Sequence, residues 1–420
     1  MPEIQIIAKA SLKRRFKNMT SICLNMIVKN EGEIIQQTLE NICHFIKIDS
    51  WVICDTGSTD DTVEKIENFF ENKNIKGEIF YEPWKDFSYN RNIALKHCAG
   101  KSDYILIFDA DDFFEGSFTL PAKLDKDCYL MNISSENRSL HYQRKLLLKN
   151  NQKFYWRGVL HEFIDQHGEI SVGSINGEYQ IISGRKGNRS KQNDKYLRDA
   201  EVLSKAFYED NDENLKPRYA FYCAQSHRDA EQLDHAIHWY AKRAEMKEGW
   251  KDEIYTSYEQ MGLLYERKKM DMQALYAWQC GVSTDPERAE CWYHLARLNN
   301  WRGNYHLAYC YAKEAVKFKI PSGNRLFVNL PVYQYWCDYE LCLNAYKLKD
   351  YINSYAAYKK LIENCPDDLI NRLLHQLEHY KDMLNIESLE NIFKIYQRLK
   401  KVNEEKILTD ILNVKFDFET

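Results

Sequence analysis

The stretch YILIFDADD, residues 104–112, decides how the first half of the chain is read. An apolar, β-prone run passes directly into three acids, Asp109, Asp111 and Asp112. A strand ending in acid-x-acid carries carboxylates to the edge of a sheet, where hard oxygen ligands can share a divalent cation with a diphosphate. Taken alone, D-x-D is also an ordinary polar turn or helix cap, so its surroundings must decide.

Working outward, residues 19–115 alternate short apolar runs with helical patterns. Ser21–Val28, Ser50–Cys54, Glu78–Tyr81 and Asp103–Phe108 read as strands. Between them, Ile34–Phe45 and Asp61–Phe70 repeat apolar positions every three or four residues. Strand–helix alternation predicts a mostly parallel, helix-covered sheet that binds ligands at the carboxyl ends of its strands. Residues 116–185 look mixed, with β-prone pieces at Cys128–Ile133, Phe154–Trp156 and Tyr179–Ile182. Two further strand ends are polar. ICLNMIVKNEG (22–32) finishes in Lys29, Asn30 and Glu31, and WVICDTGSTDDT (51–62) runs into an acid and a Gly-Ser-Thr turn. FSYNRNIALKHC (87–98) opens an amphipathic helix with Asn90 and Arg91.

In this order the motifs resemble a family 2 glycosyltransferase with the GT-A fold, over roughly residues 20–165. The resemblance implies roles residue by residue. Met26, Val28, Asn30 and Glu31 would line the nucleotide site, partly through backbone groups. Asp55 would read the base, with uracil favoured, and Ser58 begins the turn beside it. Arg91 would lie near the diphosphate or hold the acids in place; a structural salt bridge with an aspartate is an equal alternative. Asp109 would contact ribose or metal, Asp111 would coordinate Mn²⁺ or Mg²⁺, and Asp112 would orient the sugar.

A second cluster is FYWRGVLHEF, residues 154–163. It resembles the W-x-G-x-x-H-E stretch of family members that carry helical repeats at their C-terminus. A neutral imidazole suits a further metal or phosphate contact, and a carboxylate suits deprotonation of an acceptor hydroxyl. His161 fits the first role and Glu162 the second, with Asp165 as reserve base. Neighbours on a strand point opposite ways, so both serve one site only if the backbone turns there. His235 and His238 stand i,i+3 without a third ligand and read as surface residues. The basic run GRKGNRSKQNDK (184–195) reads equally as a loop closing over a diphosphate or as a solvated linker.

From about Lys195 strand signals stop. Small residues then recur twelve apart, at Ala224/Ala236, Gly262/Ala274, Ala296/Ala308 and Cys342/Ser354. Four residues after each pair stands Tyr240, Trp278, Ala312 or Tyr358, and Pro286, Pro321 and Pro366 follow three of the copies. This resembles the tetratricopeptide repeat, whose helices approach closely only where side chains are small. The predicted organisation is a basic leader at 1–19, an α/β GT-A (Rossmann-like) domain at 20–195 and an all-α tetratricopeptide-like repeat domain at 196–420.

Composition narrows the function. With 58 basic and 62 acidic residues in 420, the net charge of −4 argues against a protein that coats nucleic acid. A mean hydropathy of −0.61, with no apolar run near the ~20 residues a spanning helix needs, argues against a membrane segment. The twelve cysteines include no C-x-x-C, and Cys23, Cys43, Cys54 and Cys98 sit in apolar stretches, as reduced thiols of a cytoplasmic protein do. The expected activity is a metal-dependent, inverting, hexosyltransferase-like enzyme. Its donor would be a nucleotide-diphosphate sugar, UDP favoured, and its acceptor a glycan, peptide or small molecule. The repeats would contribute acceptor recognition or homo-oligomer contacts. A nucleotidyltransferase and a repeat scaffold on a degenerate catalytic domain are the alternatives. MIVKNEG lacks the Gly-rich, Arg-containing loop of the first, and the intact acids speak against the second.

Overall fold

The computed structural model describes residues 20–121, 123–136, 138, 141–184, 194–322 and 325–413. The basic leader and most of the 184–195 run lie outside them. The chain divides into two compact units, Met1–Ala236 and Ile237–Thr420.

The first unit is built on a mixed sheet. Its strands are β1 (Ile22–Val28), β2 (Ser50–Asp55), β3 (Lys76–Tyr81), β4 (Tyr104–Ile107), β5 (Phe113–Phe118), β6 (Cys128–Ser135), β7 (His141–Lys149), β10 (Val172–Ser174) and β11 (Gly177–Ser183). The spatial order is β3-β2-β1-β4-β7-β6-β11-β5, with β10 beside β6. The β3-β2-β1-β4 half is parallel, and β4 meets β7 antiparallel. β1 and β4 are almost wholly buried, as expected of parallel strands covered on both faces. The crossovers are α1 (Ile35–Phe45), α2 (Thr62–Asn72) and α3 (Phe87–His97). Asp86 caps α3 by accepting the Tyr89 N–H at 2.8 Å. Asn25, buried in β1, donates to the Ala94 carbonyl at 3.1 Å and so fastens α3 to the sheet. A separate two-stranded ribbon, β8 (Phe154–Arg157) with β9 (Phe163–Gln166), follows. Helices α4 (Lys195–Glu209) and α5 (Lys216–Asp229) close this unit.

The division between the units falls within α6 (Leu233–Glu245). The second unit is helical. Its hairpins are α7 (Lys251–Arg267) with α8 (Asp271–Thr284), α9 (Ala289–Trp301) with α10 (Tyr305–Ala315), and α11 (Cys337–Lys347) with α12 (Tyr351–Asn364), followed by shorter helices to Leu412. The small pairs of the repeat meet where these helices cross. A Cβ on Gly262 would stand 2.1 Å from the Trp278 indole nitrogen. Ala296 and Ala308 are fully buried, and the Ser354 hydroxyl donates to the Cys342 carbonyl at 2.8 Å. Tyr240, Trp278, Ala312 and Tyr358 are likewise fully buried, and Pro286 and Pro366 follow the ends of α8 and α12. The helical half is therefore a tetratricopeptide-like array.

All twelve cysteines are free thiols, most of them buried. Among the described residues, no helix is long and apolar enough to cross a membrane.

Candidate active site

The carboxyl ends of β1, β2 and β4 lie together, because Val28 pairs with Asp55 and Asn25 with Ile107. Three loops therefore meet at one edge. Backbone N–H groups of Asn30, Glu31 and Gly32 donate to Ser58 Oγ, Thr62 Oγ1 and Asp60 Oδ2 at 2.9, 2.8 and 3.0 Å. Asn30, at positive φ, accepts the Thr59 N–H at 2.7 Å. The K-N-E and D-x-G-S-x-D-x-T motifs are thus two sides of one hydrogen-bonded wall. Asp55 is buried and accepts from the Gly57 and Ser58 N–H groups. Met26 and Val28 point into the core, so toward a ligand they offer only backbone.

A cavity of about 460 Å³ opens here, lined in part by Lys29, Glu31, Thr56, Trp84, Leu160 and Arg198.

On the neighbouring strand end, α1 holds the acid loop through Thr38, whose hydroxyl donates to the Ala110 carbonyl at 2.6 Å. Arg91 lies buried beneath this loop. Its Nη2 donates to Asp109 Oδ1 and its Nε to Glu162 Oε1, both at 2.6 Å, while its guanidinium packs over Trp156 at 4.8 Å. Arg144, on β7, approaches Asp109 Oδ2 at 3.7 Å. Burial raises the Asp109 pKa, but Arg91 and then Arg144 outweigh it and hold the carboxyl below its ordinary range. The opposite holds at Asp112. Burial, then the Asp109 charge, push its pKa well above the ordinary value, and Asp111 acts in the same direction. Asp112 accepts the Gly184 N–H at 3.2 Å.

The H-E pair is split by its backbone. Gly158 takes φ 97° and His161 φ 52°, so the chain turns between β8 and β9. Glu162 faces Arg91, while His161 stacks flat on Tyr222 of α5 with ring centroids 4.0 Å apart. Asp165 lies on the far side of the ribbon, where Arg157 donates to it at 2.6 Å and holds its pKa below the ordinary range despite burial. His235 and His238 are exposed on α6.

The acids fit a divalent cation in one way. Among the described residues, no three His, Cys, Asp or Glu side chains form a ready ligand cage. Asp109, Asp111 and Asp112 nevertheless crowd like charges that a cation would relieve. Mg²⁺-type ions typically bind through one or two carboxylates plus substrate phosphates. His161 is stacked on Tyr222.

Two contributors, Thr38 and Arg144, carry no local signature in the sequence. Trp156 stands within the W-x-G-x-x-H-E stretch. Asn92 belongs to the R-N pair that opens α3. Its amide exchanges hydrogen bonds of 2.8 and 2.7 Å with the Trp156 backbone, tying α3 to β8.

Residues 23–143 match the model of glycosyl transferase family 2. The match covers less than a third of the chain; it includes the nucleotide-side wall, Arg91 and the acids, and it ends within β7, just before Arg144. Among curated proteins none matches the chain. Solved structures similar to it include S. aureus TarS 1–349 in complex with UDP-GlcNAc. That structure is 13% identical, with a TM-score of 0.33, and the alignment covers 64% of this chain and 93% of that one. YrrB, a TPR protein with an unusual peptide-binding site, is 14% identical over 51% of this chain and 90% of its own, with a TM-score of 0.32. MamA from Desulfovibrio magneticus RS-1 is 14% identical over 40% and 85%, with a TM-score of 0.30.

Proposed function

We propose that this protein is a metal-dependent, inverting glycosyltransferase that moves a sugar from a nucleotide-diphosphate sugar, UDP favoured, to an acceptor hydroxyl. The observation that carries the reading is Arg91, which joins the donor-side Asp109 to Glu162 in one buried frame. In this reading the nucleotide occupies the cavity walled by the end of β1, Thr56, residues 84–87 and α4, and Asp55, next to Thr56, accepts the imide N–H of uracil. Lys29 lies at its wall near the phosphates. Asp112, buried and accepting the Gly184 N–H, anchors the acid loop in this reading.

Arg91 engages Oε1 of Glu162, so Oε2 is the atom assigned to take the acceptor proton. The acceptor oxygen then bonds to the anomeric carbon from the face opposite the diphosphate, the bond from that carbon to the diphosphate oxygen breaks, and the nucleotide diphosphate leaves. When bound, Mn²⁺ or Mg²⁺ neutralises charge on the leaving diphosphate, and Asp111 with Asp109 are the residues that would hold it. Asp165, paired to Arg157 on the far side of the ribbon, takes no part.

Incubation with a panel of UDP- and GDP-sugars and Mn²⁺ tests the reading. Nucleotide diphosphate release and a product of inverted anomeric configuration are expected. Pyrophosphate release from a nucleoside triphosphate and a sugar phosphate would mark a nucleotidyltransferase instead. No turnover, with no donor raising the melting temperature by mass action, would leave a binding scaffold.

A further inference from the structure

The 158–163 turn carries Glu162, yet it belongs to a two-stranded ribbon outside the main sheet. His161 adopts a left-handed backbone that L side chains enter only against a steric cost, so something must hold it there. Several contacts to this turn come from α5. The Tyr219 ring lies 3.9 Å from where a Cβ on Gly158 would stand. Arg218 Nε donates to the His161 carbonyl at 2.8 Å. Tyr222 stacks on the His161 ring with planes only 9° apart. The Arg218 guanidinium sits over both Phe163 and Tyr222, at 4.9 and 4.8 Å. From the other side the turn is met by Phe87, whose N–H donates to the Val159 carbonyl at 3.4 Å, and by Arg91 through Glu162.

We propose that Arg218 and Tyr222 are positioning residues: they clamp the 158–163 turn so that Glu162 faces Arg91 and the acids. The inference rests on the reading of Glu162 as the proton acceptor. It assigns a catalytic duty to α5, a helix well past the segment that matches the family model. The clamp has two parts of different chemistry. Arg218 fixes the His161 backbone through a charged hydrogen bond, and Tyr222 fixes the side chain through ring contact. Neither touches the acceptor or the donor in this scheme. Both act through the angle at which Glu162 leaves the turn, and a displacement of about 1 Å at such a group is enough to cost up to 10²-fold in rate.

The test uses the full chain and whichever UDP-sugar of the panel gives the fastest Mn²⁺-dependent UDP release. Y222A is expected to lower kcat on the order of 10- to 100-fold, with KM for the donor and affinity for UDP within about twofold of wild type. Y222F, which keeps the ring, should restore kcat to within about threefold. R218Q, a change at a partly exposed side chain, should repeat the kcat loss and guards against a Y222A protein that fails to fold. Hydrogen exchange needs no donor. Both variants should speed exchange of the 159–163 amides and leave the 108–112 amides unchanged. Wild-type kcat in a folded Y222A or R218Q protein, or unchanged exchange across the turn, would overturn the clamp. E162Q is measured beside them. If it releases UDP at the wild-type rate, the reading of Glu162 falls and the inference with it. If it is inactive while Y222A and R218Q are normal, the clamp alone falls.

Discussion

Arg91 makes two ion pairs from one buried guanidinium, and its loss would strand two carboxylates at once. R91M is therefore expected to lower unfolding stability by about 3–5 kcal/mol, the usual cost of breaking a buried pair by removing one partner. Denaturant unfolding of wild type and variant measures this; a difference below about 1 kcal/mol would mean that Asp109 and Glu162 find other partners or water. Glu162 gives a contrasting expectation. E162Q keeps shape and a hydrogen bond, so stability should hold while transfer falls by roughly 10²–10⁴-fold, the scale of a lost general base. Steady-state UDP release with donor affinity measured in parallel separates the two, since loss of affinity alone would move Glu162 to the nucleotide side. At this scale the acids were legible in the sequence because a strand end offers no packing reason for three carboxylates. Arg144 and Thr38 were not. Arg144 gains meaning only from β7 lying beside β4, and Thr38 only from α1 crossing the acid loop. The two halves of the H-E pair were expected at one site if the backbone turned. It does turn, and it sends His161 to Tyr222 and Glu162 to Arg91.

Periodicity located the elements that repeat a local pattern and passed over those defined by distant partners. β1, β2, β3 and β4 each lie within two residues of their expected runs, and so do α1 and α2. β5, β7, β9 and β10 carry no run that reads as a strand by itself, because short or half-exposed strands have mixed side chains whose period shows only against a neighbour. In the helical half, the twelve-residue spacing of small residues was readable because two helix axes cannot approach there around a larger side chain. Gly262 makes the constraint measurable. A Cβ would collide with the buried Trp278, so G262A is expected to destabilise by about 1–3 kcal/mol, as overpacked cores do. Thermal or denaturant melting reads this, and a neutral G262A would show that α7 and α8 can slide apart at no cost. Glu340, on α11, provides a pH signature. Buried against Asn300 and Asn344, it has its pKa pushed up to about 7, burial being the chief cause. The folded chain then keeps a proton that the unfolded chain loses near 4.5. Stability from this group is full below pH 4.5 and falls as pH rises toward 7, by as much as about 3 kcal/mol. E340Q should remove that fall, so the melting temperatures of wild type and variant should diverge between pH 5 and 7; parallel curves would contradict the assignment.

For the whole molecule, the composition changes near residue 195, while the compact units divide after Ala236. The contacts explain the offset. Arg157 pairs with Asp212, Tyr219 donates to Asp210, and Arg218 holds the His161 carbonyl, so α4 and α5 pack with the α/β layer although they read as the opening of a helical array. No residue pattern within 196–236 signals that allegiance, because a helix packs its apolar stripe equally well on a sheet or on another helix. A chain ending at Asp210 should therefore lose donor turnover together with the α5 contacts, whereas one ending at Glu245 should keep Mn²⁺-dependent UDP release. Equal activity of the two would detach α5 from the chemistry. The most direct test of the central claim is the rate of UDP release from a UDP-sugar panel as a function of Mn²⁺, for wild type and for D111N side by side. The account predicts metal-dependent release by the wild-type protein and its loss in D111N, with the same melting temperature. Release by D111N at the wild-type rate and with the same metal dependence, or no release by wild type from any sugar nucleotide, would contradict it.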